Sequence, residues 1–224
     1  MSAADFELDH VVVFSQVDAP ERAQLEALGL RGFGGVTRHG DLGSASTSFF
    51  FAAHYLELIW AVDDAAARAN YAPLGLDMIG RREWRRTGAS PFGLMLRRRR
   101  GREAPFPFPT RRLAATWMPG EVNVEFAGDT PAEPYCGLVP PELAFPSFRA
   151  DIPEAEHPLG VRQLTGVQIT TTSDRCSRLA EWLALAGLAE VLPGPEPLLT
   201  LTFDDGAQGR QVEARPGLPV RLRC

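Results

Sequence analysis

Leu8-Asp9-His10-Val11-Val12-Val13-Phe14 is a short, β-branched run that predicts a strand near the start of the chain. On a period of two it places Leu8, His10, Val12 and Phe14 on one face. Asp18-Ala19-Pro20-Glu21 then reads as a helix start, with Asp18 as N-cap and Pro20 in the first turn. Gly29 predicts its end, after Leu25 and Leu28 on one stripe. A glycine-rich stretch follows (Gly32, Gly34, Gly35, Gly40, Gly43), then a Phe49-Phe50-Phe51 strand and a second strand, Tyr55-Leu56-Glu57-Leu58-Ile59-Trp60. The order is β-α-β-β-β.

The opening of that unit recurs toward the C-terminus. Leu164-Thr165-Gly166-Val167-Gln168-Ile169 aligns with Leu8 to Val13, and a helix with Cys176, Leu179, Ala180 and Leu183 on one face ends in Ala186-Gly187-Leu188. Strands are expected at 199–203 and 219–222. The chain therefore divides into a first module over 1–62, a degenerate middle module or insertion over 63–162, and a related module over 163–224, joined in one compact unit. In the middle, 63–70 reads as a short helix, and 92–96, 113–117, 121–126 and 145–148 read as strands. The run Arg97 to Arg100, with Arg102, precedes a proline-broken stretch from Glu103 to Pro109. Such a run is ordinarily a solvated strand end; its functional alternative is an anion clamp.

Composition narrows the class. The chain has 224 residues, 45% of them hydrophobic, enough for a sizeable core without staples. All 23 basic residues are arginine and 28 are acidic, for a net charge of −5, which argues against non-specific nucleic-acid binding. Three cysteines at unrelated spacings fit a reduced compartment. With neither a signal-like start nor a long apolar run, a cytoplasmic protein with no membrane partner is expected. There is no GxSxG, P-loop or GxGxxG, so neither a nucleophile triad nor a nucleotide cofactor is expected.

Glu57 is the most informative residue. Leu56, Leu58 and Trp60 point one way and Tyr55, Glu57 and Ile59 the other, so both faces of its strand are largely apolar. A carboxylate set there needs a partner, whether a metal, a proton-transfer role or an internal arginine such as Arg38. His10 lies on an apolar-leaning face, where a lone histidine is ordinarily a satisfied core residue. His39 sits in a glycine-rich loop and reads as a loop-pinning hydrogen bond, a third ligand or an acid/base group. His54, on a turn, reads as a surface residue, and His157, in an acidic proline-bounded loop, reads as part of a solvated linker, with metal binding beside Glu154 and Glu156 as its alternative. Phe51, Tyr55, Trp60 and Trp117 are core aromatics or the lining of a ligand cup.

The residues from Leu8 to Val13, the segment His39-Gly40-Asp41-Leu42-Gly43-Ser44-Ala45, Phe49 to Phe51 and Tyr55 to Trp60 together resemble the glyoxalase-like domain of the vicinal oxygen chelate superfamily, over residues 6–62. The resemblance implies an α+β fold, with curved mixed sheets built from repeated βαβββ modules and helices on the outer face. It implies a divalent metal (Zn, Ni, Mn or Fe) held by His10 and Glu57. The ligand set is incomplete, because Gly166 stands at the matching position of the C-terminal copy and Phe92-Gly93-Leu94 at that of the middle region. Glu57 and His39 are the expected catalytic groups, and Tyr55, Phe51, Arg38 and Trp117 the expected substrate contacts. The implied activity is metal-assisted lyase, isomerase or dioxygenase-type chemistry on a small oxygenated molecule; the alternative is a non-catalytic, sequestering module. Modules of this kind also pair between chains, so a homodimer is an expected partner state.

Overall fold

β1 (Phe6–Phe14) runs through the middle of a curved sheet because both of its faces are apolar and both need cover. The computed structural model describes residues 5–114, 122–128, 130–152 and 156–224. Among these, β1 is followed by α1 (Glu21–Ala27), β2 (Phe33–Arg38), β3 (Ser44–Phe50) and β4 (Tyr55–Ala61). After α2 (Asp64–Tyr71), α3 (Met78–Arg82) and α4 (Trp84–Thr87) come β5 (Phe92–Arg98), β6 (Arg111–Ala114), β7 (Asn123–Ala127) and β8 (Tyr135–Val139). The sheet order is β2-β3-β4-β1-β5-β8-β7-β6.

The two halves of this sheet repeat each other. β1 pairs in parallel with β4, the last strand of its half, and β5 pairs in parallel with β8, the last strand of the other. β1 and β5 join the halves in antiparallel fashion. The middle region thus supplies the second half of the sheet, but the stretch corresponding to α1 is the proline-broken run before β6. Its Phe106 and Phe108 pack edge-on against Trp182 of α6 (Arg178–Leu185), and Phe6 joins the same cluster.

The remaining strands form a second sheet: β9 (Leu164–Thr171), β10 (Glu190–Pro193), β11 (Leu198–Phe203), β12 (Gln211–Glu213) and β13 (Val220–Arg223), in the order β10-β9-β11-β13-β12. The strand-helix opening matches the first module, but the pairing departs from it. β9 pairs directly and in parallel with β10, the strand after its helix, whereas β2 lies three places from β1. One apolar layer, with Val11, Val13, Leu25, Leu58, Trp60, Leu94, Ile169, Leu183 and Leu201, joins the back of the large sheet to α1, α6 and the second sheet. The opposite, concave face is left to a cavity. Among the described residues no helix is long and apolar enough to cross a membrane.

Three local expectations are corrected. The register of β1 against β5 slips between Leu8 and His10, so Leu8 joins Val11 and Val13 in the back core while His10, Val12 and Phe14 face the cavity. Asp18 is not the cap of α1: it and Ala19 have positive φ, and Glu21 instead accepts the backbone N–H of Gln16. Residues 145–148 form a helical turn, α5 (Phe145–Phe148), because Pro146 in its first turn needs no amide partner. β8, flanked by prolines and containing Gly137, escaped the sequence reading. The helix predicted from residue 63 is α2, with Asp63 as its cap, its carboxylate accepting the N–H groups of Ala65 and Ala66.

Candidate functional site

Tyr55, Glu57 and Ile59 alternate with Leu56, Leu58 and Trp60 along β4, so strand pleating alone sends Glu57 into the concave face. The cavity there has a volume of about 640 Å³. At one end stand His10, His39, Tyr55, Glu57, Ser46 and Ser48, and at the other Met95, Leu113, Val124, Phe126 and Val139. His10, Glu57, His39 and Tyr55 are therefore brought together.

The bulge in β1 does more than re-aim Leu8. It lets the fully buried Asp9 sit beside His10, with its Oδ1 2.7 Å from His10 Nδ1. Its Oδ2 accepts hydrogen bonds from Arg97 Nη1 at 3.0 Å and from the backbone N–H of Phe145 at 2.9 Å. Burial pushes the Asp9 carboxyl up, but these partners outweigh it and hold the group below the usual carboxylate range. An ionised carboxylate only accepts, so His10 carries a proton on Nδ1 and turns Nε2 to the cavity. That nitrogen lies 3.8 Å from Glu57 Oε2 and 3.4 Å from Tyr55 Oη. The Tyr55 ring stacks on the imidazole with centroids 4.1 Å apart.

Burial, reinforced by the charge of Glu57, keeps the Tyr55 phenol protonated far above its ordinary range, so it is a hydrogen-bond donor at neutral pH. His39 is set differently. Its Nδ1 is 2.8 Å from Ser44 Oγ and its Nε2 3.3 Å from Ser46 Oγ, while Ser44 Oγ continues to Tyr71 Oη at 2.8 Å. Burial lowers its pKa against the opposing pull of Glu57, which makes it a neutral imidazole in the cavity wall. Glu57 keeps 14% of its side-chain surface exposed, enough to meet a ligand.

Other expected site residues lie elsewhere. Phe51 falls on the opposite pleat from Phe50 and packs in the back core against Phe203, with centroids 4.7 Å apart; Phe50 is the cavity aromatic. Arg38 is exposed at the end of β2 and outside the lining. Trp117 lies outside the described residues. His157, read as solvated, is buried. Its Nδ1 accepts the N–H of Arg31 at 2.9 Å and its Nε2 donates to the carbonyl of Phe50 at 3.0 Å, so it pins two segments together. The arginine run is solvated only in its later part: Arg99, Arg100 and Arg102 are exposed, whereas Arg97 is buried on Asp9 and Glu7, and Arg98 meets Glu125. Asp9 and Arg97 are the site residues that sequence reasoning missed, because a regular strand would turn Asp9 away from His10.

The strand pairing also locates the positions that match His10 and Glu57 in the other half. His10 is the partner of Tyr55 across the β1–β4 pair, and Gly93 is the partner of Tyr135 across the β5–β8 pair. Two residues on, Glu57 corresponds to Gly137. Both matching positions are therefore glycine. The space beside Gly137 is taken by Met95, whose Cε and Sδ lie 2.5 and 2.6 Å from where a Cβ would stand. Among the described residues no group of three or more His, Cys, Asp or Glu side chains can hold a metal ion. Gaps of this size let His10 Nε2 and Glu57 Oε2 share an ion, but two donors do not fit a resident metal.

Residues 8–187 match the glyoxalase-like domain family. Among solved structures, a hypothetical protein from Staphylococcus aureus aligns with 97% of this chain and 98% of its own at 11% identity and a TM-score of 0.56, a likeness of fold. A hypothetical protein from Bacillus halodurans aligns with 60% of this chain and 93% of its own (9% identity, TM-score 0.36). Methylmalonyl-CoA epimerase from Mycobacterium tuberculosis aligns with 64% and 93% (13% identity, TM-score 0.34). No curated protein matches the chain. The family match takes in both halves of the cupped sheet and well over half of the sequence, and the chain belongs to the glyoxalase-like domain family.

Proposed function

We propose that the cup binds a small, mostly apolar, oxygenated molecule and that Glu57, with His10, moves a proton at its polar head, in a lyase- or isomerase-type reaction. The observation that carries this reading is the Asp9-backed His10, whose Nε2 faces the part-buried Glu57 at 3.8 Å on the floor of an apolar cavity. Glu57 would take a proton from the carbon beside a carbonyl. The oxygen that gains negative charge would accept hydrogen bonds from the Tyr55 hydroxyl and, when it is protonated, from His10 Nε2. Returning the proton to a neighbouring carbon gives an isomer; losing a leaving group from the adjacent carbon gives a lyase product. General acid–base catalysis of this kind is worth roughly 10² to 10⁴ in rate.

Among the described residues His10 and Glu57 supply two donors of the four that a resident metal ordinarily needs, so the proton transfer is assigned to the side chains. Dioxygenase-type chemistry would need a redox-active ion with more donors than His10 and Glu57 offer. The second reading, a sequestering cup without turnover, is favoured by the same two glycines, Gly93 and Gly137. The two readings separate by deuterium exchange. In D₂O with a panel of aryl and alkyl ketones, the protein should catalyse loss of α-protons, followed by proton NMR, and Glu57→Gln should lose at least 10²-fold of that rate. Tight binding of a ketone with no exchange above buffer would leave the sequestering reading.

A further inference from the structure

The sign of charge around the cup points to the kind of molecule it admits. Among the described residues that line the cavity, the charged side chains are carboxylates, Glu57 on the floor and Glu142 at the rim, and no arginine is among them. Several nearby cations are engaged elsewhere: Arg111 donates to the carbonyl of Leu74, and Arg149 donates to those of Ile152 and Ala52 and lies over the Phe145 ring. Arg97 is buried on Asp9 and Glu7. Arg81 lies behind the rings of Phe14 and Tyr135, 5.8 and 5.5 Å from their centroids, and donates to the carbonyls of Ser90 and Glu133. His39 is kept neutral by burial, and His10 already holds its Nδ1 proton against Asp9. The rest of the polar end is hydroxyl and aromatic. An anionic head entering this end would meet Glu57 with no guanidinium fork to receive it, and like charges brought together in a desolvated site are strongly disfavoured.

We infer that the cup selects an uncharged or singly cationic ligand with an apolar body and rejects carboxylates and phosphates of the same shape. This rests on the cup being the ligand site, as proposed above. A protonated amine would be tolerated as well as a carbonyl, because Glu57 faces it directly and Phe50, Tyr55 and Phe148 present ring faces and edges around the same end.

The test uses three probes that share one phenylpropyl body and carry a methyl ketone, an ammonium or a carboxylate head. Binding is measured by titration calorimetry on the full chain, and the site is read from the NMR shifts of the His10 imidazole. The expected result is that the ketone and the ammonium bind while the carboxylate is at least tenfold weaker than either. Glu57→Gln should then shrink the gap between ketone and carboxylate at least threefold. A carboxylate that binds as well as the ketone and moves His10 overturns the inference while leaving the cup as the ligand site. A folded Glu57→Gln variant with an unchanged gap also overturns it. If none of the three probes moves His10, the cup reading itself falls and the inference with it. The wild-type ratios are decisive even where the variant does not fold.

Discussion

The two halves of the eight-stranded sheet share one strand pattern and one tyrosine, yet only the first places a histidine and a glutamate side by side in the cup. Tyr55 in β4 and Tyr135 in β8 occupy matching places, opposite His10 and Gly93 respectively. Two residues later the first half has Glu57 and the second Gly137. The space beside the two glycines is filled by neighbours, with Met95 and Phe126 closing over Gly137 and Val12 and Phe14 beside Gly93. The lesson is that a repeated scaffold can keep its backbone register while giving a polar, titratable end to one half and an apolar end to the other. Every histidine of the large sheet belongs to the first half.

The largest expected effect tests what holds the half with His10 and Glu57 in place. Asp9→Ala strips a partner from both the buried Arg97 and His10, and removing one member of a buried pair costs about 3–5 kcal/mol. Chemical denaturation should show that loss; a cost below about 1 kcal/mol would mean that Arg97 and His10 do not depend on Asp9. In the apolar half, Met95→Ala should cost about 2–3 kcal/mol by opening space beside Gly137 and Phe126. Gly137→Ala is smaller, about 1 kcal/mol, because the clash is mainly with the flexible end of Met95. In the Met95→Ala background that penalty should vanish, and a double-mutant cycle with no coupling would break the picture of Met95 as the filler.

The smallest effect is on pH. Burial holds the pKa values of His39, His157 and, down to about 4, His54 below the ordinary 6.5. The unfolded chain then binds protons that the folded chain refuses. The stability from these neutral imidazoles is complete above pH 6.5 and is lost as pH falls through 6.5 toward 4. At pH 6 the loss should be below about 1 kcal/mol per histidine. Hydrogen exchange should quicken first in β3 and β4 and later in β7 and β8. Equal acid sensitivity of the two halves would contradict the assignment. The depressed Asp9 carboxyl adds its own loss only below its usual pKa of 3.8.

Much of the first half was legible in the sequence because its signals are local. The period of two across Tyr55 to Trp60 puts Glu57 on the face opposite Leu56 and Leu58, and one strand's alternation suffices for that. His10 needed more, since a slip of one residue in β1 decides which neighbours share its face, and the slip is set by pairing with β5, far away in sequence. The same slip hid Asp9, and the role of Arg97 followed from Asp9. Phe50 and Phe51 are indistinguishable by type; only the end of β3 fixes which one meets the cavity. β8 was lost among prolines and a glycine, and that glycine, Gly137, occupies the place in the second half that Glu57 holds in the first. His157 looks like a loop residue until the carbonyl of Phe50 and the amide of Arg31 are seen to close on it.

Whether the proposed proton transfer runs on the cup's own side chains is tested most directly by following α-proton exchange of a bound ketone in D₂O with protein stripped by a strong chelator. Exchange that persists after chelation and falls at least 10²-fold in Glu57→Gln is the expected result. Exchange that disappears on chelation and returns with a divalent ion, or that survives the loss of the Glu57 carboxylate, would contradict it.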